Sequence, residues 1–327
     1  MLAFLTACLL SCSMLETGFD TPADESDDTR VVFKVPTGAT ARSIGPRLVD
    51  GGFVSNGVEW RLFLKIRKTG SCLKAGRFEI SRSMSLQQIM SALCGVPLSD
   101  SVPFTVVEGW RIREIDQALT ERGWTSPGEY SRAAMNPGRF KLPDGLAGVE
   151  TLEGLLFPDT YQVEPDRFDV SRFIQRQVDA FGDRFVEPSD TAVHTRGLYP
   201  LVIMASLLQR EEPKAENMPL VAGVLWKRLD NQWNLGVDAT SRYTLEIWND
   251  RRAFLKKLRD PNDVYNTRLR AGLPPTPIGN PGIDALEAAL SSRESGYWFY
   301  LHDATGQIHL SRSAKEHEAF RKRYNVY

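Results

Sequence analysis

One strongly apolar segment, residues 198–211, most constrains how this chain can fold. Its large apolar side chains recur at helical spacing, at Leu201, Met204, Leu207 and Leu208. Such spacing predicts a strongly apolar helix. The helix must end close to Pro213, because the residue before a proline disfavours helical dihedral angles. The segment therefore places Glu211 in the last turn of a predicted helix.

The rest of the sequence predicts an α+β protein with a helix-rich second part. The first part has predicted strands at 31–35 and 76–80 and predicted helices at 41–49, 56–66 and 86–93. Asn56 and Ser85 are the predicted N-caps, and Gln88 completes a capping box with Ser85. The later predicted elements are a strand at 104–110, helices at 112–119, 170–185, 198–211, 218–229 and 313–324, and a hairpin of 297–301 with 308–310.

Length and charge limit the classes of function. With 327 residues the chain is long enough for two domains. Its 40 Lys and Arg residues against 41 Asp and Glu residues give a net charge of -1. A strongly basic face is therefore not expected, and nucleic acid is not a predicted partner. The predicted divisions are a leader and linker at 1–29, a small module at 30–100 and a larger domain at 101–327.

The N-terminus reads as an apolar leader followed by an acidic linker. Residues 1–14 are almost uncharged, and residues 16–28 are acidic and contain proline. The leader is shorter than the about 20 apolar residues that a spanning helix needs. Either residues 5–8 form a lipoprotein cleavage box with Cys8 as the lipidated residue, or the leader is the end of a longer membrane helix; a chance apolar start is the third interpretation. The first two predict a membrane anchor, with the remainder facing the envelope.

The cysteines and histidines give no metal-binding pattern. Cys72 and Cys94 either pair as a disulfide bond or stay as two buried thiols, and their spacing alone does not decide. The chain has no Cys-x-x-Cys pair, and its histidines lack zinc-ligand spacing: His194, His302, His309 and His317. Neither a metal nor a cofactor is predicted.

Glu211 is the candidate acid/base. At a helix C-terminus the dipole disfavours an ionised carboxylate by about 0.3–1 kcal/mol at exposed sites, and burial would add to this. A carboxyl group in such surroundings can donate a proton near neutral pH. Taken alone, however, two glutamates before a proline are more typical of a solvated helix end.

A second motif favours the catalytic interpretation of Glu211 over the solvated helix end. The segment Leu152–Tyr161 resembles the Glu-Gly-x-Leu-Phe-Pro-Asp-Thr-Tyr signature of endolytic murein transglycosylases. Further segments match the same family in order, and the resemblance runs from about Val31 to the C-terminus. They are 205–211, 219–229, 235–243 around Asp238, 265–267, 272–275, 280–282 and 316–317.

The resemblance implies a fold, an activity and a location. It implies a LysM-like peptidoglycan-binding module beyond an inner-membrane anchor, followed by a catalytic domain on the periplasmic side. The catalytic glutamate of the family falls on Glu211. Such enzymes cleave between N-acetylmuramic acid and N-acetylglucosamine inside nascent strands, leave a 1,6-anhydro end and so terminate elongation. Peptidoglycan strands are the expected substrate, and cell-wall synthases are expected partners.

Six other residues are predicted to contact the substrate or shape the cleft: Glu153, Asp159, Asp238, Tyr265, Asn266 and Thr267. Asp159 could equally be a turn or cap residue. Glu212 is predicted to be a solvated neighbour of Glu211. Gln209 occupies a position where relatives often carry an acid, so that position is not the predicted proton donor.

Three other functions compete with the lytic enzyme. A non-catalytic glycan-binding protein would release no fragments. A lysozyme-type hydrolase would leave reducing ends, and it would usually need a second carboxylate. A scaffold that recruits synthases would not depend on Glu211.

Overall fold

The computed structural model describes residues 19–189 and 196–326. The leader with Cys8, as well as His194, lies outside the described residues. The chain divides into two compact units, Met1–Asp100 and Ser101–Tyr327, each with its own hydrophobic core. Both units combine helices with two-stranded antiparallel sheets, which confirms the predicted α+β class. Among the described residues, no helix has both the length and the apolar character to cross a membrane.

The first unit packs three helices against one sheet. Its strands, β1 (Val31–Val35) and β2 (Gly76–Ile80), are antiparallel, and its helices are α1 (Gly45–Asp50), α2 (Gly57–Ile66) and α3 (Leu86–Cys94). Trp60 is fully buried, and its indole nitrogen donates to the backbone oxygen of Ala41 at 2.7 Å. Phe63 stacks on Trp60 with ring centroids 5.7 Å apart.

Local capping signals correctly predicted where two of these helices begin. The Asn56 side chain accepts from two backbone amides at the start of α2, and Ser85 and Gln88 form the predicted capping box of α3. Helix α1 starts four residues later than predicted. Thr40 and Ser43 bond each other's backbone amides in a turn, and Pro46 then occupies the first helical turn, where its missing N–H costs nothing.

Cys72 and Cys94 form a disulfide bond across 22 residues of sequence. Closing a loop of this size restricts the unfolded chain and contributes about 3 kcal/mol of stability. We expect the double substitution to serine to lower the free energy of unfolding of this unit by about that amount. Urea denaturation of the full chain, followed at Trp60 in an otherwise tryptophan-free background, measures it. A wild-type midpoint that does not move with reductant would contradict the expectation.

The second unit is built mainly from helices. They are α4 (Ile112–Glu121), α5 (Glu129–Ala134), α6 (Val170–Phe181), α7 (Leu198–Glu211), α8 (Met218–Asp230), α9 (Asp238–Tyr243), α10 (Arg251–Lys257), α11 (Ile283–Leu290) and α12 (Ala314–Arg323). Its strands are β3 (Val102–Thr105) paired with β4 (Thr160–Val163), and β5 (Phe299–His302) paired with β6 (Ile308–Ser311), both antiparallel.

Helix α7 is the predicted apolar helix, and its bounds match the prediction. All eight residues from Leu201 to Leu208 are buried, including Ser206, whose hydroxyl donates to the Ile203 carbonyl and accepts from the Ile278 amide at 3.0 Å. The helix packs against α11, and also against α8 and α9. Because α7 is fixed along its length, the position of its last residue, Glu211, is fixed as well.

Two other predictions need adjustment. The strand expected at 104–110 ends at Thr105, and it pairs with β4, which was not predicted although it contains the end of the Leu152–Tyr161 motif. The predicted helix at 170–185 is an α-helix to Phe181 and continues as one π-helical stretch, Gly182–Val186. The C-terminal hairpin is confirmed.

Candidate active site

The end of α7 directs two consecutive carboxylates in different directions. Glu211 is the last helical residue, whereas Glu212 is extended, with φ −130° and ψ 111°. This break follows from Pro213, which disfavours helical dihedrals in the residue before it. The two carboxylates accordingly have different partners: Glu211 bonds Tyr300, whereas Glu212 bonds His302.

Glu211 is half-buried, and its carboxylate is held by Tyr300. The Tyr300 hydroxyl donates to Oε2 of Glu211 at 2.8 Å. Burial raises the pKa of Glu211 above its ordinary value, and this cause outweighs the hydrogen bond from Tyr300, which lowers the pKa. The charge of Asp238 raises the pKa further, whereas His302 and the Ala239 backbone amide lower it. The carboxyl group is therefore biased towards its neutral form while donors to its ionised form stand beside it.

Glu212 is not the solvated neighbour that the sequence predicted. It is 0% exposed, and its carboxylate bonds Nε2 of His302 at 2.8 Å and accepts from the Lys214 amide at 2.9 Å. The prediction was wrong because two glutamates before a proline mark a helix end without showing that a strand covers it. Here that strand is β5.

Tyr300 and His302 were missed by the sequence reasoning. Successive side chains of a strand point to opposite faces, so residues two apart share a face. The two rings are accordingly neighbours, with centroids 6.3 Å apart. The only local signal was the spacing of two polar aromatic side chains at the end of a predicted strand, with His302 one residue beyond it, and this spacing does not identify their partners.

Asp238 lies close enough to Glu211 for its charge to affect the pKa of that carboxyl group. It is the first residue of the short helix α9, which the sequence did not predict. Its carboxylate pairs with Nε of Arg268 at 2.5 Å, and both side chains are partly exposed. A second cation, Arg228, also interacts electrostatically with Glu211 and was not predicted.

Tyr265, Asn266 and Thr267 have partners inside the protein. The Asn266 side-chain amide donates to backbone carbonyls at the end of α10, and the residue is 0% exposed. The Thr267 hydroxyl accepts from the Val237 amide at 3.0 Å, directly before α9. The Tyr265 hydroxyl bonds the hydroxyl of Thr276 at 2.8 Å. Through Val237, this segment positions the start of α9; its assignment to substrate contact stays a prediction.

Glu153 also lies in the interior, at 2% exposure. It accepts from the Ile112 amide at the start of α4 and from the Tyr243 hydroxyl, both at 3.1 Å. Burial raises its pKa to about 8. Next to it, Asn280 accepts from the amides of Gly154 and Leu156 at 2.9 and 3.0 Å. The contacts of this part of the motif are therefore with the protein itself, and a substrate contact by Glu153 stays a prediction.

Asp159 is partly exposed and faces another part of the unit. Its carboxylate accepts from the Thr160 amide at 2.7 Å and pairs with Arg184 at 3.1 Å. Both contacts are with the protein itself, directly before β4, and a role of Asp159 in the cleft stays a prediction. Of the six residues predicted to contact the substrate or shape the cleft, Asp238 carries a charge that raises the pKa of the Glu211 carboxyl group. Within residues 19–189 and 196–326, no group of His, Cys, Asp and Glu residues could hold a metal ion.

The YceG-like family model matches residues 33–323. The chain belongs to the YceG-like family. It is 25% identical to an endolytic murein transglycosylase of Bacillus subtilis over 97% of this chain and 90% of that protein. It is 23% identical to an endolytic murein transglycosylase of Streptococcus pneumoniae over 91% of this chain, but spans only 59% of that protein.

A solved structure agrees with the family assignment at the level of the fold. The chain is similar to a crystal structure of a YceG-like protein from Listeria monocytogenes, with a TM-score of 0.59 and 23% identity. The match covers 89% of this chain and 99% of that chain. The resemblance found in the sequence is therefore confirmed for the YceG-like family.

Proposed function

We propose that this YceG-like chain is an endolytic lytic transglycosylase of peptidoglycan, with Glu211 as its single acid/base. The observation that carries the proposal is the environment of Glu211: a half-buried carboxyl group with a raised pKa, held by Tyr300 at the end of α7. The motif resemblance assigns the catalytic glutamate to this same residue. Two relatives named endolytic murein transglycosylase support the reaction class.

In the first step, the neutral carboxyl of Glu211 donates its proton to the glycosidic oxygen between N-acetylmuramic acid and N-acetylglucosamine. The bond from that oxygen to the anomeric carbon breaks, and the leaving sugar departs with a new hydroxyl group. Positive charge develops at the anomeric carbon, as in other glycosidic cleavages. A raised pKa supports this step because the acid must still carry its proton near neutral pH.

In the second step, the Glu211 carboxylate removes the proton from the 6-hydroxyl of the same muramic acid. That oxygen bonds the anomeric carbon and closes the 1,6-anhydro ring. Glu211 is again neutral, and no water is consumed. The donors beside Glu211, which are the Tyr300 hydroxyl and the Ala239 amide, stabilise the carboxylate that exists between the two steps.

Hydrolysis is the second candidate, because Asp238 also affects Glu211. An inverting or retaining hydrolase uses its second carboxylate as a free base or nucleophile. Asp238 is instead paired with Arg268 at 2.5 Å, which disfavours both roles. The arrangement therefore favours the internal 6-hydroxyl over water as the attacking group.

Digestion of purified glycan strands in heavy-oxygen water separates the candidates. A lytic enzyme gives fragments that lack one water relative to hydrolytic products and that carry no heavy oxygen. A hydrolase incorporates one heavy oxygen at each new reducing end. Labelled reducing ends, or the absence of any fragment, would overturn the proposed reaction; the latter is the outcome expected of a scaffold.

The remaining features are proposed with this function. Residues 30–100 are a LysM-like module that binds glycan. Residues 1–29 anchor the chain to the membrane on its envelope side. There cell-wall synthases are its partners, and cleavage ends strand elongation. The Cys72–Cys94 disulfide bond supports a location on the envelope side, because such bonds persist in oxidising compartments. Sedimentation of full-length Glu211→Gln protein with insoluble peptidoglycan, before and after reduction, tests the module; binding that is absent in both states would reject it.

A further inference from the structure

We propose that Tyr300 is a positioning residue for Glu211, and that the His302–Glu212 pair fixes the strand that carries it. This inference rests on the proposed function and adds a role for residues that the family signature does not contain. Its basis is the double contact between β5 and the end of α7. Tyr300 reaches Glu211 and His302 reaches Glu212, each at 2.8 Å.

The double contact fixes how the strand lies on the helix end. Tyr300 and His302 share one face of β5, and Glu211 and Glu212 leave the chain in different directions. Both hydrogen bonds can form together in only one register. A shift of β5 by one residue would turn both side chains to the other face.

The His302–Glu212 contact is an anchor because Glu212 is fully buried. A buried carboxylate without partners is strongly unfavourable, so the contact is costly to open. His302 supplies one partner and the Lys214 amide supplies the other. The His302 side chain is 26% exposed, so it lies between the buried Glu212 carboxylate and solvent.

The other end of β5 is anchored as well. Arg228, on α8, donates through Nε and Nη2 to the carbonyl of Trp298 at 2.8 and 2.6 Å. On the opposite face of the strand, Phe299 stacks on His317 with centroids 5.0 Å apart. Tyr300 therefore lies between two fixed points, Trp298 and His302, and its hydroxyl has little freedom to leave Glu211.

The hydrogen bond from Tyr300 gives the two carboxylate oxygens of Glu211 different roles. The Tyr300 hydroxyl donates to Oε2, and in this proposal Oε1 is the atom that exchanges the proton with the sugar oxygens. Burial raises the pKa of Tyr300 well above its usual value, so the hydroxyl keeps its proton and stays a donor. A neutral Glu211 then carries its proton on Oε1, and the same orientation persists after that proton is donated.

The groups around Glu211 determine the expected pH effect. Tyr300, His302 and the Ala239 amide favour the carboxylate, whereas burial and Asp238 favour the neutral acid; Arg228 and Arg268 also couple to Glu211. Removing the Tyr300 hydroxyl removes one group that lowers the pKa of Glu211. The pKa of the acid then rises, and the alkaline limb of kcat/KM against pH moves to higher pH.

The test compares Tyr300→Phe with Tyr297→Phe in the full chain. Tyr297 lies three residues earlier and its ring faces Arg312. The Tyr297→Phe variant is therefore a matched control that also loses one hydroxyl group. We expect Tyr300→Phe to lower kcat by roughly tenfold to a hundredfold, the worth of one hydrogen bond to a charged group, with KM little changed and the alkaline limb shifted upward. Tyr297→Phe should leave kcat, KM and the position of the alkaline limb unchanged.

A second variant tests the anchor. His302→Ala keeps Tyr300 but releases β5, and should lower kcat as Tyr300→Phe does. If the wild type is active and Tyr300→Phe has the same kcat and the same pH profile, this inference is overturned while the proposed function stands. A His302→Ala protein that folds and keeps full kcat would overturn the anchor. A wild type that forms no anhydro ends would instead overturn the proposed function.

Discussion

Glu211→Gln is expected to abolish cleavage of glycan strands, with a fall in rate of at least about 10²–10⁴-fold. The amide can neither donate a proton to the glycosidic oxygen nor remove one from the 6-hydroxyl, and general acid/base catalysis is typically worth that factor. Mass spectrometry of anhydro-muropeptides released from purified strands measures the effect. Glutamine keeps an oxygen that can accept from Tyr300, so we expect the fold to be preserved.

Glu216→Gln is the matched control for this prediction. Glu216 lies five residues further along the chain and is exposed, so the same chemical change there should leave activity unchanged. Equal thermal unfolding midpoints for the wild type and both variants would show that loss of activity is chemical. A Glu211→Gln protein that releases anhydro ends at a rate near that of wild type would reject Glu211 as the acid/base.

Asn280→Ala is expected to lower the free energy of unfolding of the second unit by about 3–5 kcal/mol. The side chain is fully buried and makes four hydrogen bonds. Its oxygen accepts from Gly154 and Leu156, and its nitrogen donates to Trp110 and Glu153. Each buried group left without a partner costs about 1–3 kcal/mol, and alanine can replace none of these bonds.

Asn262→Ala provides the comparison, because Asn262 is exposed. A surface substitution of this kind usually changes stability by less than about 0.5 kcal/mol. Calorimetry or urea unfolding of both variants gives the difference directly. If Asn280→Ala were as stable as Asn262→Ala, the hydrogen bonds around Gly154 and Leu156 would not hold the motif in place.

The sequence predicted those features that neighbouring residues encode. Helix α7 was found with its true bounds because its apolar spacing and Pro213 are local signals. The caps at Asn56 and Ser85 were found for the same reason, since an N-cap and its amide partners are two or three residues apart. Glu211 was placed by the family resemblance together with this helix end.

Contacts between distant segments determine the features that the sequence did not predict. Tyr300 is 89 residues from Glu211, and Asn280 is 126 residues from Gly154. Whether Glu212 is solvated or buried is decided by β5, whose register on α7 follows from the packing of the whole unit. Local patterns carry no information on such a register, so Glu212 was assigned to solvent.

The break in backbone direction between Glu211 and Glu212 makes this helix end sensitive to chain length. One residue added within the last turn of α7 would rotate every later residue of that turn by about 100°. The Glu211 carboxyl would then be carried away from Tyr300, and either the inserted residue or Arg210 would occupy its former place. Homologous chains that keep this chemistry should therefore tolerate insertions in nearby loops far more readily than between Leu208 and Pro213.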